Sequence, residues 1–170
     1  MVLGDNMPTP TYIPISNITI TSPVSTVTFS SITQSYRDLI LVASTIQPTS
    51  ATQNPRANLN GDFGSNYKLT YVDGYGTSYA SNMDNGSSFS LAYASTVSAN
   101  PMLSIMNFMD YSATDKQKNA IIRYGSSTSG VGIYFLRWES TSAITSITIN
   151  ANNSITFSAG TTFSLYGVAA

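Results

Sequence analysis

The sequence predicts an all-β protein, an antiparallel β-sandwich of jelly-roll type, and three observations lead there. Only 9% of residues are charged while 42% are hydrophobic, against about 25% charged in an ordinary soluble domain. The missing charge is replaced by 27 Ser, 21 Thr and 14 Asn; threonine suits strands, and serine and asparagine suit turns. Short apolar runs of alternating type recur along the chain, each bounded by Gly, Pro, Asn or Ser. No stretch sustains a 3.6-residue apolar period, so no helices alternate with the strands. At 170 residues the chain has the size of one domain around one core, with no disulfide or metal needed to hold it.

Residues 1–11 contain Gly4, Pro8 and Pro10 and almost no apolar pattern, which predicts an extended arm ahead of a single domain over 12–170. Ile13, Ile15, Ile18 and Ile20 form a run interrupted by Pro14, the mark of an edge or bulged strand. Val27 and Phe29 alternate with Thr26 and Thr28, a half-buried strand with its threonines outward. Residues 38–44 are apolar on both faces and predict a central strand. Further strand runs are 56–59, 68–72, 88–94, 102–109, 120–124, 131–138, 144–150, 155–157 and 163–168. Tyr67, Tyr71, Tyr75 and Tyr79 are spaced by four as on a helix, but Gly74 and Gly76 lie among them, so the spacing reads as coincidence.

Composition removes whole classes of chemistry. With no histidine and no cysteine, no Ser/His/Asp triad, thiol nucleophile, His/Cys zinc site or iron–sulfur cluster can be assembled. A net charge of −1 with seven cations offers no basic footprint for nucleic acid. The longest apolar runs fall far short of the roughly 20 residues of a membrane span, and the N-terminus lacks the pattern of a secretion signal. The acids Asp62, Asp73, Asp84, Asp110, Asp115 and Glu139 are scattered, so a carboxylate-only glycosidase is not expected and the chain reads as a non-enzyme.

Asn60-Gly61-Asp62 followed by Gly64 and Asn66 tolerates positive φ and predicts a compact turn. A sharper reading makes Asn60, Asp62 and Asn66 oxygen ligands of calcium; the spacing is not that of an EF-hand and no second carboxylate is near, so the plain turn is preferred. Arg56, on the preceding strand, is placed to pin this turn through Asp62. Tyr134, Leu136 and Trp138 share one strand face, either core or an oligomer interface, with a sugar platform as the third reading. Arg137 and Glu139 lie on the opposite face and are expected to pair across strands.

Three segments carry more: YRDLILVAST (36–45), RANLNGDFGSNYKLTYVDGYG (56–76) and FLRWESTSAITSITINANNSITFSAGTTFSLYGV (135–168). A Y-x-D-L-x-L strand, an NGD-x-GSNY turn and a closing ITSITI…F-x-x-G-T-T-F-S-L-Y-G run together resemble a family of small tailed-phage virion structural proteins, with Thr161 where the family often has Ser. The resemblance implies a β-sandwich and a place in the virion, after synthesis in the host cytoplasm. It fits a capsid decoration or cement protein that binds and bridges coat subunits, or alternatively a tail-fibre or receptor-binding module that recognises a host-surface glycan. The partners so implied are the major capsid protein or another virion protein, and further copies of the chain. Low charge and a tyrosine-rich segment favour self-association, with a homotrimer suited to three-fold positions on a shell. The interface candidates are Pro8 and Pro10 on the arm, and Tyr67, Tyr71, Tyr75, Tyr79 and Tyr93. No cofactor is expected.

Overall fold

Alternation of apolar and polar side chains is realised as strands. The computed structural model describes residues 10–46, 54–92, 101–126, 130–152 and 154–169. Within these lie β1 (Tyr12–Thr19), β2 (Thr26–Phe29), β3 (Asp38–Thr45), β4 (Arg56–Leu59), β5 (Tyr67–Tyr75) and β6 (Ser78–Gly86). They are followed by β7 (Phe89–Ser90), β8 (Met102–Met109), β9 (Lys118–Ser126), β10 (Gly130–Trp138), β11 (Ile147–Asn150) and β12 (Thr162–Val168). Every pairing is antiparallel.

One sheet has eight strands in the order β1-β12-β3-β8-β9-β10-β5-β6, and the other has four in the order β2-β11-β4-β7. The expected antiparallel sandwich is therefore present, while the division into eight and four does not establish jelly-roll connectivity. One core cluster fills the space between the sheets. Val27, Phe29, Leu59, Phe89, Ile147 and Ile149 come from the small sheet; Leu39, Leu41, Met106, Ile122, Leu136, Trp138 and Phe163 come from the large one.

Several expectations are met in detail. β1 is an edge strand whose register shifts between Pro14 and Ser16, as a proline without an N–H requires. β2 buries Val27 and Phe29 and turns its threonines out, where Thr28 Oγ1 meets Thr148 Oγ1 at 3.2 Å on β11. β3 lies inside the large sheet between β12 and β8.

Other expectations need correction. Residues 155–157 form no strand; Phe157 makes an isolated bridge to Val24. The four-residue spacing of Tyr67, Tyr71 and Tyr75 is not helical, as expected; four residues are also two full periods of a strand, so all three fall on one side of β5. β6 was not expected, since Ser78–Gly86 has no apolar alternation; it needs none, because seven of its nine residues are exposed. Gly76, at φ +59, opens the two-residue turn joining β5 to β6. At the other end of the chain, Thr11 O already accepts a hydrogen bond from Ala169 N, so the ladder reaches into the expected arm. Pro10 is exposed, and Pro8 lies outside the described residues.

Candidate interaction surface

The asparagine-rich turn is a knot of internal hydrogen bonds. Asn60 and Gly61 both take positive φ, 53° and 66°, which returns the chain from β4 toward β5. The Asp62 carboxylate accepts from Trp138 Nε1 at 2.7 Å, from Gly64 N at 2.8 Å and from Asn66 Nδ2 at 2.9 Å. Partial burial works against its ionisation, yet those donors outweigh it and hold the carboxyl below its ordinary range. Asn60 faces elsewhere: its Oδ1 accepts from Thr145 N and Ser146 N, and its Nδ2 donates to Ala143 O. The three candidate calcium ligands thus do not converge. Asp62 and Asn66 meet through the amide nitrogen, and Asn60 ties down the loop before β11.

Arg56 does not reach Asp62, contrary to expectation; its Nη1 lies 3.4 Å from Ser88 Oγ. Trp138 takes the place assigned to it. The tryptophan belongs to the buried stripe with Tyr134 and Leu136, and its ring stacks on Tyr67 at 6.4 Å. Tyr67 is therefore core and not interface: its hydroxyl accepts from Leu59 N and donates to Asp62 O, and burial pushes its pKa up to about 12. Arg137 pairs with Glu139, just past the end of β10, at 2.7 Å, while Glu139 also meets Lys68 of β5 at 3.6 Å.

A more deeply buried carboxylate was not foreseen from the sequence. Asp73 on β5 is 3% exposed and accepts from Tyr124 Oη at 2.7 Å and Tyr134 Oη at 3.4 Å. Burial raises its pKa, and the two hydroxyls only partly offset that. Glycine at position 132 makes the room, since a Cβ there would stand 2.2 Å from Asp73 Oδ1. Tyr71 is half-buried and packs on Tyr134 at 5.4 Å. Among the described residues no three acidic side chains gather into one group.

The large unassigned feature is the outer face of the eight-stranded sheet. One cross-strand row runs Tyr166, Ile40, Asn107, Ile121, Phe135, Thr70, Met83; the next runs Val42, Ile105, Arg123, Ile133, Val72. Leu103, Val131, Phe135, Val72 and Met83 are all exposed, Met83 at 68%. Shallow depressions on this face are lined by Tyr12, Ile40, Val42, Ile105, Arg123 and Tyr166, and by Met109, Ile121 and Ile133. Its cations are Arg123, flanked by Ile105 and Ile133, and Lys68 and Arg137 toward one margin. Monomeric proteins rarely leave so extended an apolar surface open, and a mix of aliphatic, aromatic and Arg side chains is the composition of interface centres.

The signal for this face was in the sequence. β3, β8 and β10 are apolar at odd and even positions alike, and a two-sheet sandwich can cover only one side of each. Of the interface candidates, Tyr75 and Tyr79 are exposed near the β5–β6 turn, Tyr79 at 85%, and Tyr93 lies outside the described residues. Comparison with known proteins finds no matching family model, no similar curated protein and no similar solved structure.

Proposed function

We propose that this chain is a non-enzymatic structural protein of a phage virion, a decoration or cement protein that binds coat subunits through the outer face of its eight-stranded sheet. One observation carries the interaction half of this reading: the broad apolar face centred on Ile105, Ile121, Ile133 and Phe135, with Arg123 among them. The virion half rests on the resemblance of the NGD turn and the closing strands to tailed-phage structural proteins. A decoration protein docks by burying such a face on a lattice. Each methylene removed from water there contributes about 0.8 kcal/mol.

The test is binding of purified protein to heads that lack it. Leu103→Asp combined with Phe135→Asp places two charges on exposed positions of the face. Co-sedimentation is expected to fall more than tenfold while the melting temperature stays within a few degrees. Unchanged binding by the double variant rejects the assignment of the face.

The receptor-binding alternative is favoured by a different feature, the exposed Tyr75 and Tyr79 flanking the β5–β6 turn. Aromatic side chains at an exposed tip suit a sugar face. Loss of cell-surface binding on Tyr75→Ala with Tyr79→Ala, with head binding absent from the start, selects that reading instead.

A further inference from the structure

The two edges of the eight-stranded sheet differ. β1 carries Pro14 and a bulge, devices that stop another strand from adding to an edge. β6 has neither: Ser78–Gly86 (SYASNMDNG) contains no proline, no lysine and one charge, Asp84, and pairs with β5 without a bulge.

The phase of its free hydrogen-bonding groups can be read. Met83 N donates at 2.8 Å to the side-chain Oδ1 of Asn82, so this N–H does not serve the ladder with β5. The two-residue turn agrees: Tyr75 and Ser78 close it as a hydrogen-bonded pair, and every second residue from Ser78 then bonds inward. Tyr79, Ser81, Met83 and Asn85 therefore aim N–H and C=O at the edge of the sheet, where no further strand pairs among the described residues. These four are arranged symmetrically about Asn82.

We propose that β6 is a self-pairing edge: two copies of this chain join β6 to β6 antiparallel about a two-fold axis at Asn82, making one continuous sheet. In that register Ser81 meets Met83 of the second copy and Tyr79 meets Asn85, so every edge-facing backbone group finds a partner. Asp84 falls opposite Ala80, and no like charges oppose. The bond from Met83 N to Asn82 Oδ1 satisfies the edge in a single chain and gives way to the incoming strand. Antiparallel self-pairing is a two-fold, isologous contact, in place of the three-fold one expected from a shell lattice. The dimer sets two outer faces side by side, independently of what those faces bind. An edge contact is small, which places its Kd at roughly micromolar or weaker.

The test is sedimentation across about 1–300 μM. The full chain is expected to approach twice its 18.2 kDa mass. Ser81→Pro, which removes an edge-facing N–H that β5 does not use, should stay monomeric with its melting temperature little changed. A cross-link reports register: the chain has no cysteine, so Asn82→Cys should oxidise to a covalent dimer across the axis, where non-hydrogen-bonded pairs bring Cα atoms to about 4.5 Å. A monomer over the whole range, a trimer, or a dimer untouched by Ser81→Pro overturns the proposal. Head binding by Ser81→Pro separates the two readings. Binding retained with dimerisation lost leaves the outer face in its role, and binding lost by the outer-face variant alone leaves the edge in its own.

Discussion

Asp62 and Asp73 stand at opposite ends of one strand pair and are treated in opposite ways. Asp62 meets Trp138, at the end of β10 that pairs with Tyr67; Asp73 pairs with Gly132, near the other end. Both carboxylates are drawn out of water beside aromatic side chains. Asp62 collects an indole N–H, a backbone N–H and an amide, and its pKa is lowered; Asp73 collects two tyrosine hydroxyls deep in the core, and its pKa is raised. Donor supply measured against the depth of burial decides whether a carboxylate holds a fold together or weighs on it.

Breaking the first member gives the largest expected effect. Asp62→Ala leaves Trp138 Nε1, Gly64 N and Asn66 Nδ2 without their acceptor in a part-buried site. Hydrogen bonds to a charged group are each worth about 1.5–3 kcal/mol, and unpaired donors add to the loss. A net destabilisation of about 3 kcal/mol, or roughly 6–12 °C in melting temperature, is expected at pH 7 by calorimetry. Since the folded pKa lies below the unfolded one, this stabilisation is present above the unfolded carboxyl pKa near 3.9 and fades as pH falls through the folded value. The deficit of the variant should therefore shrink in acid.

The second member sharpens the comparison by its sign. A raised pKa means that the folded chain holds the Asp73 proton more tightly than the unfolded chain does. The ionised side chain therefore costs stability at neutral pH, and that cost disappears as pH falls below the ordinary carboxyl range. Asp73→Asn keeps the shape and an acceptor for Tyr124 while removing the charge. It should raise the melting temperature at pH 7 by roughly 2–4 °C, equivalent to about 1 kcal/mol. The gain should close toward pH 3. A variant that melts lower than the parent at every pH shows that the tyrosine bonds, and not the buried charge, dominate this site.

What the sequence discloses about these regions follows from whether the cause is local. β2 and β3 were legible because their period and their turn residues lie within the strand itself. The positive φ of Asn60 and Gly61 was legible for the same reason. The acceptor role of Asp62 toward Trp138 was not, because it depends on β10 returning beside the turn 76 residues later. Asp73 looked like any loop acid until Tyr124 and Tyr134 were brought over it. β6 was invisible for a third reason: a strand exposed on both faces carries no apolar pattern, and its existence is owed to the Gly76 turn and to pairing with β5.

The smallest effect is expected where the calcium reading placed a metal. A divalent ion at Asn60, Asp62 and Asn66 would have to displace donors already in place. Asp62 Oδ1 accepts from Gly64 N and Oδ2 from Trp138 Nε1. Asn66 presents its amide nitrogen rather than its oxygen to the carboxylate, and Asn60 Oδ1 is held by two backbone N–H groups. Calcium needs six to eight oxygen ligands at 2.3–2.6 Å, and opening this turn to supply them would cost the bonds that Asp62→Ala removes. A site with a Kd of about 10 μM would add roughly 2.7 kcal/mol at 1 mM calcium, a rise of about 5–11 °C. A change below about 1 °C is expected on adding 1 mM calcium or a chelator. A rise of several degrees that Asp62→Ala abolishes would mean that the turn exchanges its tryptophan and amide donors for a metal, and the contrast between the two carboxylates would then describe only the metal-free protein.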